Sequence, residues 1–428
     1  MKFRICTAAC GYEMEPLISA FGFKGSALTK LWQTSVRLET EKHIGQGLGV
    51  QSVLWSDAAV YHALGEEAGN RVMFRVTQHA VSLCEGMEVE HPFSWIDAIF
   101  PEVYAFAKKE TGMEHLRRTF VLNALVPVDF AMWQLWCREN QKTSFDEISL
   151  FSGNRQNILL NIPLITYSTS VEEVQNIVRN GAALLKIKIG SDPFQNNDSD
   201  AMLTWDKNRL LEIHRAVMHI EMPYTDTGHV MYYLDANGRY DTKERLMSLL
   251  RFAKEQGILD RILLLEEPFD EQNKTDVHDV PVCVVADESA HSVEDVEERF
   301  RLGYNALALK PIAKTLSMSI RMAEFAQKHG MHCFCADLTV NPVMVSWNQC
   351  VASRLKRIPH MLVGVLESNG AQNYMNWKTM QSYHPMSHMS FTQCKNSVFY
   401  MDEAFYKTDG GIFEISEHYC RLTQRKEE

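Results

Sequence analysis

Five short segments place lysines and carboxylates at the ends of apolar runs. Lys186 and Lys188 lie in Leu-Leu-Lys-Ile-Lys-Ile-Gly, Asp235 in Tyr-Tyr-Leu-Asp-Ala-Asn and Glu266 in Leu-Leu-Leu-Glu-Glu-Pro. Asp287 lies in Val-Val-Ala-Asp-Glu-Ser and Lys310 in Ala-Leu-Lys-Pro. Each apolar run is short and continuous, as a strand buried on both faces must be. Charged residues that close successive parallel strands share one rim, and at the carboxyl ends of barrel strands that rim is where chemistry collects. Three carboxylates with lysines on both sides read as a metal site between two proton-transfer groups. Carboxylate oxygens from neighbouring strands form a hard site suited to Mg²⁺, with Mn²⁺ as a substitute.

A lysine acts as a base near neutral pH only when its ammonium form is disfavoured, and a neighbouring cation does this. Lys186 is two residues from Lys188, on the same side of the strand, and is placed to do so. Lys188 and Lys310 thus stand on the two sides of the carboxylates as candidate proton-transfer groups.

Such residues need a scaffold that repeats. From about residue 161, apolar runs alternate with amphipathic helices: residues 162–167, 184–189, 231–234, 262–265, 282–285, 306–309, 333–336 and 362–366. Eight strands with intervening helices predict a parallel α/β barrel. After the sixth run, Met318, Met322, Phe325 and Ala326 recur at helical spacing, and Gly330 ends the helix. That stripe is read as core facing the barrel. Residues 1–150 lack the repeat: β-rich runs at 31–38 and 45–54 precede helical patterns at 70–84 and 116–138. The chain is therefore divided into an N-terminal α+β capping domain (1–150), a (β/α) barrel (151–385) and a C-terminal segment (386–428). Residues 391–415 read as strand-like, and Arg425–Glu428 as a frayed tail.

Composition bounds the rest. The chain has 428 residues, 46% hydrophobic and 23% charged, which is ordinary for a globular protein. A net charge of −11, from 43 basic and 54 acidic residues, argues against nucleic acid as a partner. No apolar run approaches the ~18 residues of a membrane span. The opening residues lack the apolar stretch of a secretory signal, so a cytoplasmic location is expected. The ten cysteines lack paired metal-site spacing and are read as reduced thiols, with Cys333 and Cys335 as small buried residues.

In order and wording, the five segments resemble the enolase superfamily, specifically its muconate lactonizing enzyme-like branch. The resemblance extends to Gly45-Gln-Gly47-Leu-Gly49, similar to that family's N-terminal hairpin, and to the run from Val126 to Trp133, similar to its helix before the barrel. It implies a modified TIM-type (β/α) barrel under an α+β cap that the returning C-terminal segment completes. It implies Asp235, Glu266 and Asp287 as metal ligands, with Glu267 and Glu288 outside the ligand set, and Lys188 and Lys310 as catalytic. Lys186, Asn237, Asp337 and Glu367 are candidate substrate contacts. The implied reaction is Mg²⁺-dependent removal of the α-proton of a small carboxylate through an enediolate, as a racemase or epimerase. A lyase or cycloisomerase on the same scaffold, including succinylbenzoate-synthase-like dehydration, is the alternative, and a non-catalytic metal-binding protein the third reading. At least a dimer is expected from the resemblance.

Departures from the family pattern are visible as well. No His-Asp dyad stands on the sixth and seventh strands, where Lys310 and Asp337 occur, which speaks against the mandelate racemase and sugar-acid dehydratase branches. The eighth run ends at Glu367 without the Asp-x-Asp of dipeptide epimerases. Lys310-Pro-Ile-Ala differs from the usual Lys-Leu-Met-Lys. The long interval from Lys188 to Asp235 is read as an insertion with a solvated loop. Residues 18–26, with Phe21, Phe23 and Lys24, are the expected lid.

Overall fold

The computed structural model describes residues 2–23, 26–148 and 153–424, without the side chains of 21–23. The lid residues Phe21, Phe23 and Lys24, the expected boundary at 150 and the tail at 425–428 thus fall outside the described residues or side chains. The N-terminal region is a three-stranded antiparallel sheet, Thr7–Phe23, Ser26–Glu39 and Ile44–Gln51 in that order, backed by helices. The helix Ala58–Cys84 is capped by the Asp57 carboxylate and broken at Gly65; Pro92–Thr111 and Arg118–Glu139 follow. The first of these strands and the helix Pro92–Thr111 go beyond the sequence expectation.

Arg118–Glu139 is the one helix among the described residues long and apolar enough to cross a membrane, yet 94% of its apolar window is buried inside the protein. It is a core helix, enclosed by the sheet on one side and the barrel on the other. A side chain at Gly47 would collide with the Pro127 carbonyl, so the strand Ile44–Gln51 presents bare backbone and the helix lies directly on it. Toward the barrel, Asp129 Oδ2 accepts the Ser317 backbone N–H at 3.0 Å, and Trp133 Nε1 donates to Ser317 Oγ at 2.9 Å. The cap thereby holds the first turn of Leu316–Lys328, the longer helix that begins six residues after Lys310.

Eight barrel strands run in chain order, all parallel. The first is split by Pro163. Its half Ile158–Ile162 pairs with the eighth strand, Gly364–Glu367, and its half Leu164–Ile165 pairs with the second, Leu184–Lys188. A ten-stranded ribbon is thus closed on itself through one proline, which has no N–H to give to a ladder. The free edge that the kink leaves on Ile158–Ile162 is taken by an antiparallel strand, Val398–Tyr400.

Two local differences from the sequence expectation stand out. Between the fourth strand, Ile262–Glu266, and the fifth, Cys283–Ala286, the connection carries no helix among its described residues. The stretch 391–415 is strand only at Val398–Tyr400, and further on the chain forms the helices Glu403–Thr408 and Glu417–Arg421. Its return to the cap is made by polar pairs: Ser416 N donates to Gln46 Oε1 at 2.7 Å and Gln46 Nε2 to the Ser416 carbonyl at 3.1 Å. All ten cysteines are free thiols, and Cys333 and Cys335 are buried in the seventh strand, His332–Cys335. In the interval from Lys188 to Asp235 lies the helix Ser199–Val217, flanked by loops.

Candidate active site

The strand register gathers the charged residues. Lys188 is level with Asp235, and Asp235 with Glu266, across adjacent parallel strands. Asp287 and Lys310 each follow the last residue of the fifth and sixth strands. Parallel strands in register deliver their last side chains to one rim. Four strand positions separate Lys188 from Lys310 in an eight-stranded ring, so they approach from opposite walls. A cavity at that end is lined by Lys186, Lys188, Asp235, Asn237, Glu266, Asp287, Glu288, Lys310, Asp337 and Glu367. All nine sequence-predicted site residues therefore meet there.

Their pairing is specific. Lys186, 3% exposed, touches three acids: Asp235 at 3.0 Å, Glu266 at 3.2 Å and Glu367 at 3.3 Å. Burial would lower its pKa, but those acids hold its ammonium well above the ordinary lysine range. Lys188 Nζ donates to Asp235 Oδ2 at 2.7 Å and to Asn237 Oδ1 at 2.6 Å. Burial alone would raise the Asp235 carboxyl; Lys186 and Lys188 bring it down to about 2. Lys310 Nζ pairs with Asp287 Oδ2 and lies 4.7 Å from the centre of the Trp55 ring, a cap residue. Burial works against its charge, but Asp287 and Glu266 keep Lys310 above the usual lysine range. Asn237 and Glu267, with φ of 44° and 41°, hold left-handed backbone directly behind the third and fourth strands. Such conformations persist where the surroundings dictate them.

Lys314 was not anticipated. It sits four residues after Lys310, in the helical turn Pro311–Lys314, fully buried. Its Nζ donates to the Asp287 carbonyl at 2.6 Å and to Asp287 Oδ1 at 3.1 Å. The signal was present, because a Lys-Pro start followed by a lysine at i+4 puts both ammonium groups on one helical face. Trp55 had no comparable signal.

The donor set fits a divalent cation. Carboxylate oxygens of Glu266, Asp287 and Glu288 lie within 4.8 Å of one another, all buried. Glu288 Oε1 accepts from Asn237 Nδ2 at 2.9 Å, while Glu288 Oε2 has no hydrogen-bond partner among the described residues. Burial pushes the Glu266 carboxyl up to about 8; Lys186 pulls against this, and Asp287 and Glu288 add to it. Buried acids at this density stay ionised together only with further positive charge, which a divalent cation would supply. Glu288 converges with Glu266 and Asp287, and Asp235, one strand away, turns its Oδ2 to Lys186 and Lys188.

Asp206, in the helix after the second strand, supports the site from behind. Both its oxygens accept the Gly190 N–H at 2.9 Å, and Tyr240 donates its hydroxyl at 2.7 Å. Gly190 has φ of +81°, a conformation other residues adopt with strain, so the turn that ends the Lys186–Lys188 strand is pinned there. Burial pushes the Asp206 carboxyl up to about 7. An unfolded aspartate titrates near ~3.9, so the folded state holds this proton more tightly. Its stabilising contribution is complete below about pH 4 and is lost as pH rises through about 7. Asp206→Asn is expected to flatten that part of the curve, read as urea midpoints of both proteins between pH 4 and 8.

Residues 169–372 match the family model described as Enolase C-terminal domain-like. Among solved structures, a mandelate racemase/muconate lactonizing protein from Herpetosiphon aurantiacus is similar at 18% identity and a TM-score of 0.66, over 94% of this chain and 96% of that one. A dipeptide epimerase from Enterococcus faecalis V583, complexed with Mg and the dipeptide L-Leu-L-Tyr, matches at 15% identity and 0.61, over 87% and 92%. An N-succinyl Arg/Lys racemase from Bacillus cereus ATCC 14579 matches at 15% and 0.63, over 87% and 89%. At these identities the likeness shows a shared fold. No curated protein matches the sequence.

Proposed function

We propose, from the match of residues 169–372 to the Enolase C-terminal domain-like family model, that this chain is an enzyme that removes the α-proton of a small carboxylate and returns a proton to the same carbon. The supporting observation is that Lys188 and Lys310 face each other from opposite walls, with buried carboxylates between them. Racemisation or epimerisation requires proton transfer on both faces of one carbon, and this arrangement supplies a group for each.

Glu266 and Asp287, with Asp235 or Glu288, would hold Mg²⁺ or Mn²⁺. A divalent cation there would offset the negative charge that grows on the substrate carboxylate as the α-proton leaves. Lys188 and Lys310 exchange protons with the α-carbon, each on its own face; Asp287 and Glu266, once engaged by a cation, would no longer hold the Lys310 ammonium, which lets Lys310 serve as a base. Lys186, held by Asp235, Glu266 and Glu367, keeps a fixed positive charge beside Lys188. Asn237 ties Lys188 to Glu288, so the base and the acid cluster keep a constant separation. Trp55 covers Lys310 from the cap and shields it from water. Asp337 takes the N–H groups of Asn369 and Val340, and its own N–H reaches Glu367; it shapes the wall near the eighth strand.

Proton NMR of a mixed library of carboxylates in deuterium oxide with Mg²⁺ tests the reading. Loss of an α-proton signal with the native protein, abolished in Lys188→Ala or Lys310→Ala, is the expected result. Conversion of one constitution into another identifies a lyase or cycloisomerase instead. Mg²⁺ binding with no exchange on any acid would leave the non-catalytic reading.

A further inference from the structure

We propose that the substrate is a monocarboxylate whose remaining substituent is apolar and uncharged, recognised by Leu17, Leu28, Leu31, Trp55 and Leu338. The proposal rests on the α-proton reading only for where the carboxylate goes. On the cap side of the cavity stand Leu17, Leu28, Leu31 and Trp55, all more than nine-tenths buried, with one hydroxyl, Ser52; Leu164 and the half-buried Leu338 continue this apolar lining onto the barrel rim, where the rest of the described wall is charged or polar. A substrate carboxylate directed toward Lys188, Lys310 and the acid cluster must therefore turn the rest of its structure toward leucines and an indole.

The charged groups beside the apolar lining are already committed, and Glu288, whose Oε2 is open, belongs to the acid cluster at the carboxylate end. A distal ammonium would look to Glu367 or Asp337. Glu367 Oε2 accepts from both Lys186 and the Asp337 N–H, and Asp337 accepts the N–H groups of Asn369 at 2.7 Å and Val340 at 3.4 Å. A distal carboxylate fares no better. No arginine or histidine is among the described residues lining the cavity, and its lysines are ion-paired with the acids beside them. Among the described residues a charged tail would be dehydrated against leucine without an uncommitted partner, whereas an apolar tail gains from the same burial.

Matched probes of one chain length test this: hexanoate, 6-aminohexanoate and hexanedioate, titrated calorimetrically into the full chain with saturating Mg²⁺. Hexanoate is expected to bind at least about tenfold more tightly than either charged analogue, the effect of one unpaired charge in a dry wall. Leu338→Asp, at a half-buried position that tolerates a carboxylate, is expected to narrow or reverse the preference over 6-aminohexanoate. Leu31→Asn provides a second, uncharged variant and is expected to weaken hexanoate alone. Equal or tighter binding of a charged analogue, or no binding of any of the three at millimolar concentration, overturns the proposal. α-Proton exchange is scored separately on the same samples. Hexanoate preference without exchange supports the apolar wall while counting against the proposed reaction, and exchange confined to charged acids does the reverse.

Discussion

Lys310→Met is expected to lower α-proton exchange by about 10³-fold while tightening the binding of a divalent cation. The two effects have one origin. Lys310 is ion-paired with Asp287 and almost fully buried, so its ammonium occupies a carboxylate that a metal would use. Methionine has nearly the same length and no charge, so it fills the volume beside Trp55 and leaves Asp287 available. Loss of a positioned acid or base costs typically ~10²–10⁴ in rate, and the metal cannot replace a missing proton carrier. Exchange is read by NMR in deuterium oxide and affinity by titration with Mn²⁺. If affinity falls together with exchange, Lys310 supports the metal site structurally and the assignment as a base fails.

Asp287→Ala carries the second large effect, and it needs no substrate. This one carboxylate accepts from two buried ammonium groups, Lys310 and Lys314. Removing one partner of a buried ion pair leaves an uncompensated charge and costs roughly 3–5 kcal/mol. Urea unfolding in the presence of a chelator is expected to show a loss of that order, and Mg²⁺ is expected to restore none of it. The native protein, in contrast, gains about 2.7 kcal/mol when Mg²⁺ is at a hundred times its dissociation constant. Adding Lys314→Met to Asp287→Ala should recover part of the loss, because neighbouring charges are coupled. A fall of less than about 1 kcal/mol, the scale of an exposed pair, would mean that water reaches these lysines and that the rim is not dry.

Much of the barrel was legible because a parallel strand buried on both faces leaves a mark that needs no partner to be read: four or five apolar residues closed by a charge. The sixth run, Ala306–Leu309, is a strand over those same residues. The elements that escaped have weaker marks. Thr7–Phe23 is an edge strand with exposed Met14 and Ile18 and a proline in its middle, so it has no clean alternation. Residues 391–415 are aromatic-rich, which reads as strand, but burial against the barrel and cap decides their shape, and most of them turn or coil into short helices. At the site, residue types and order pointed to the rim. Pair identities did not follow from them. That Glu288 converges with Glu266 and Asp287, and that Lys314 reaches Asp287, depends on side-chain directions after the strands end.

The hydrogen-bonded pair between Gln46 and Ser416 sets a clock on biosynthesis. Its two residues are 370 positions apart. At about 5–20 residues per second, roughly 20–70 s pass between their emergence from the ribosome. Throughout that interval the antiparallel sheet lacks the segment that covers it, and from its own emergence the half-strand Ile158–Ile162 waits for Val398–Tyr400, whose Val398 pairs with Leu160. The nascent chain therefore carries an unfinished cap, and later an unguarded strand edge, through much of its synthesis, a window in which exposed apolar surface and an unpaired edge favour aggregation.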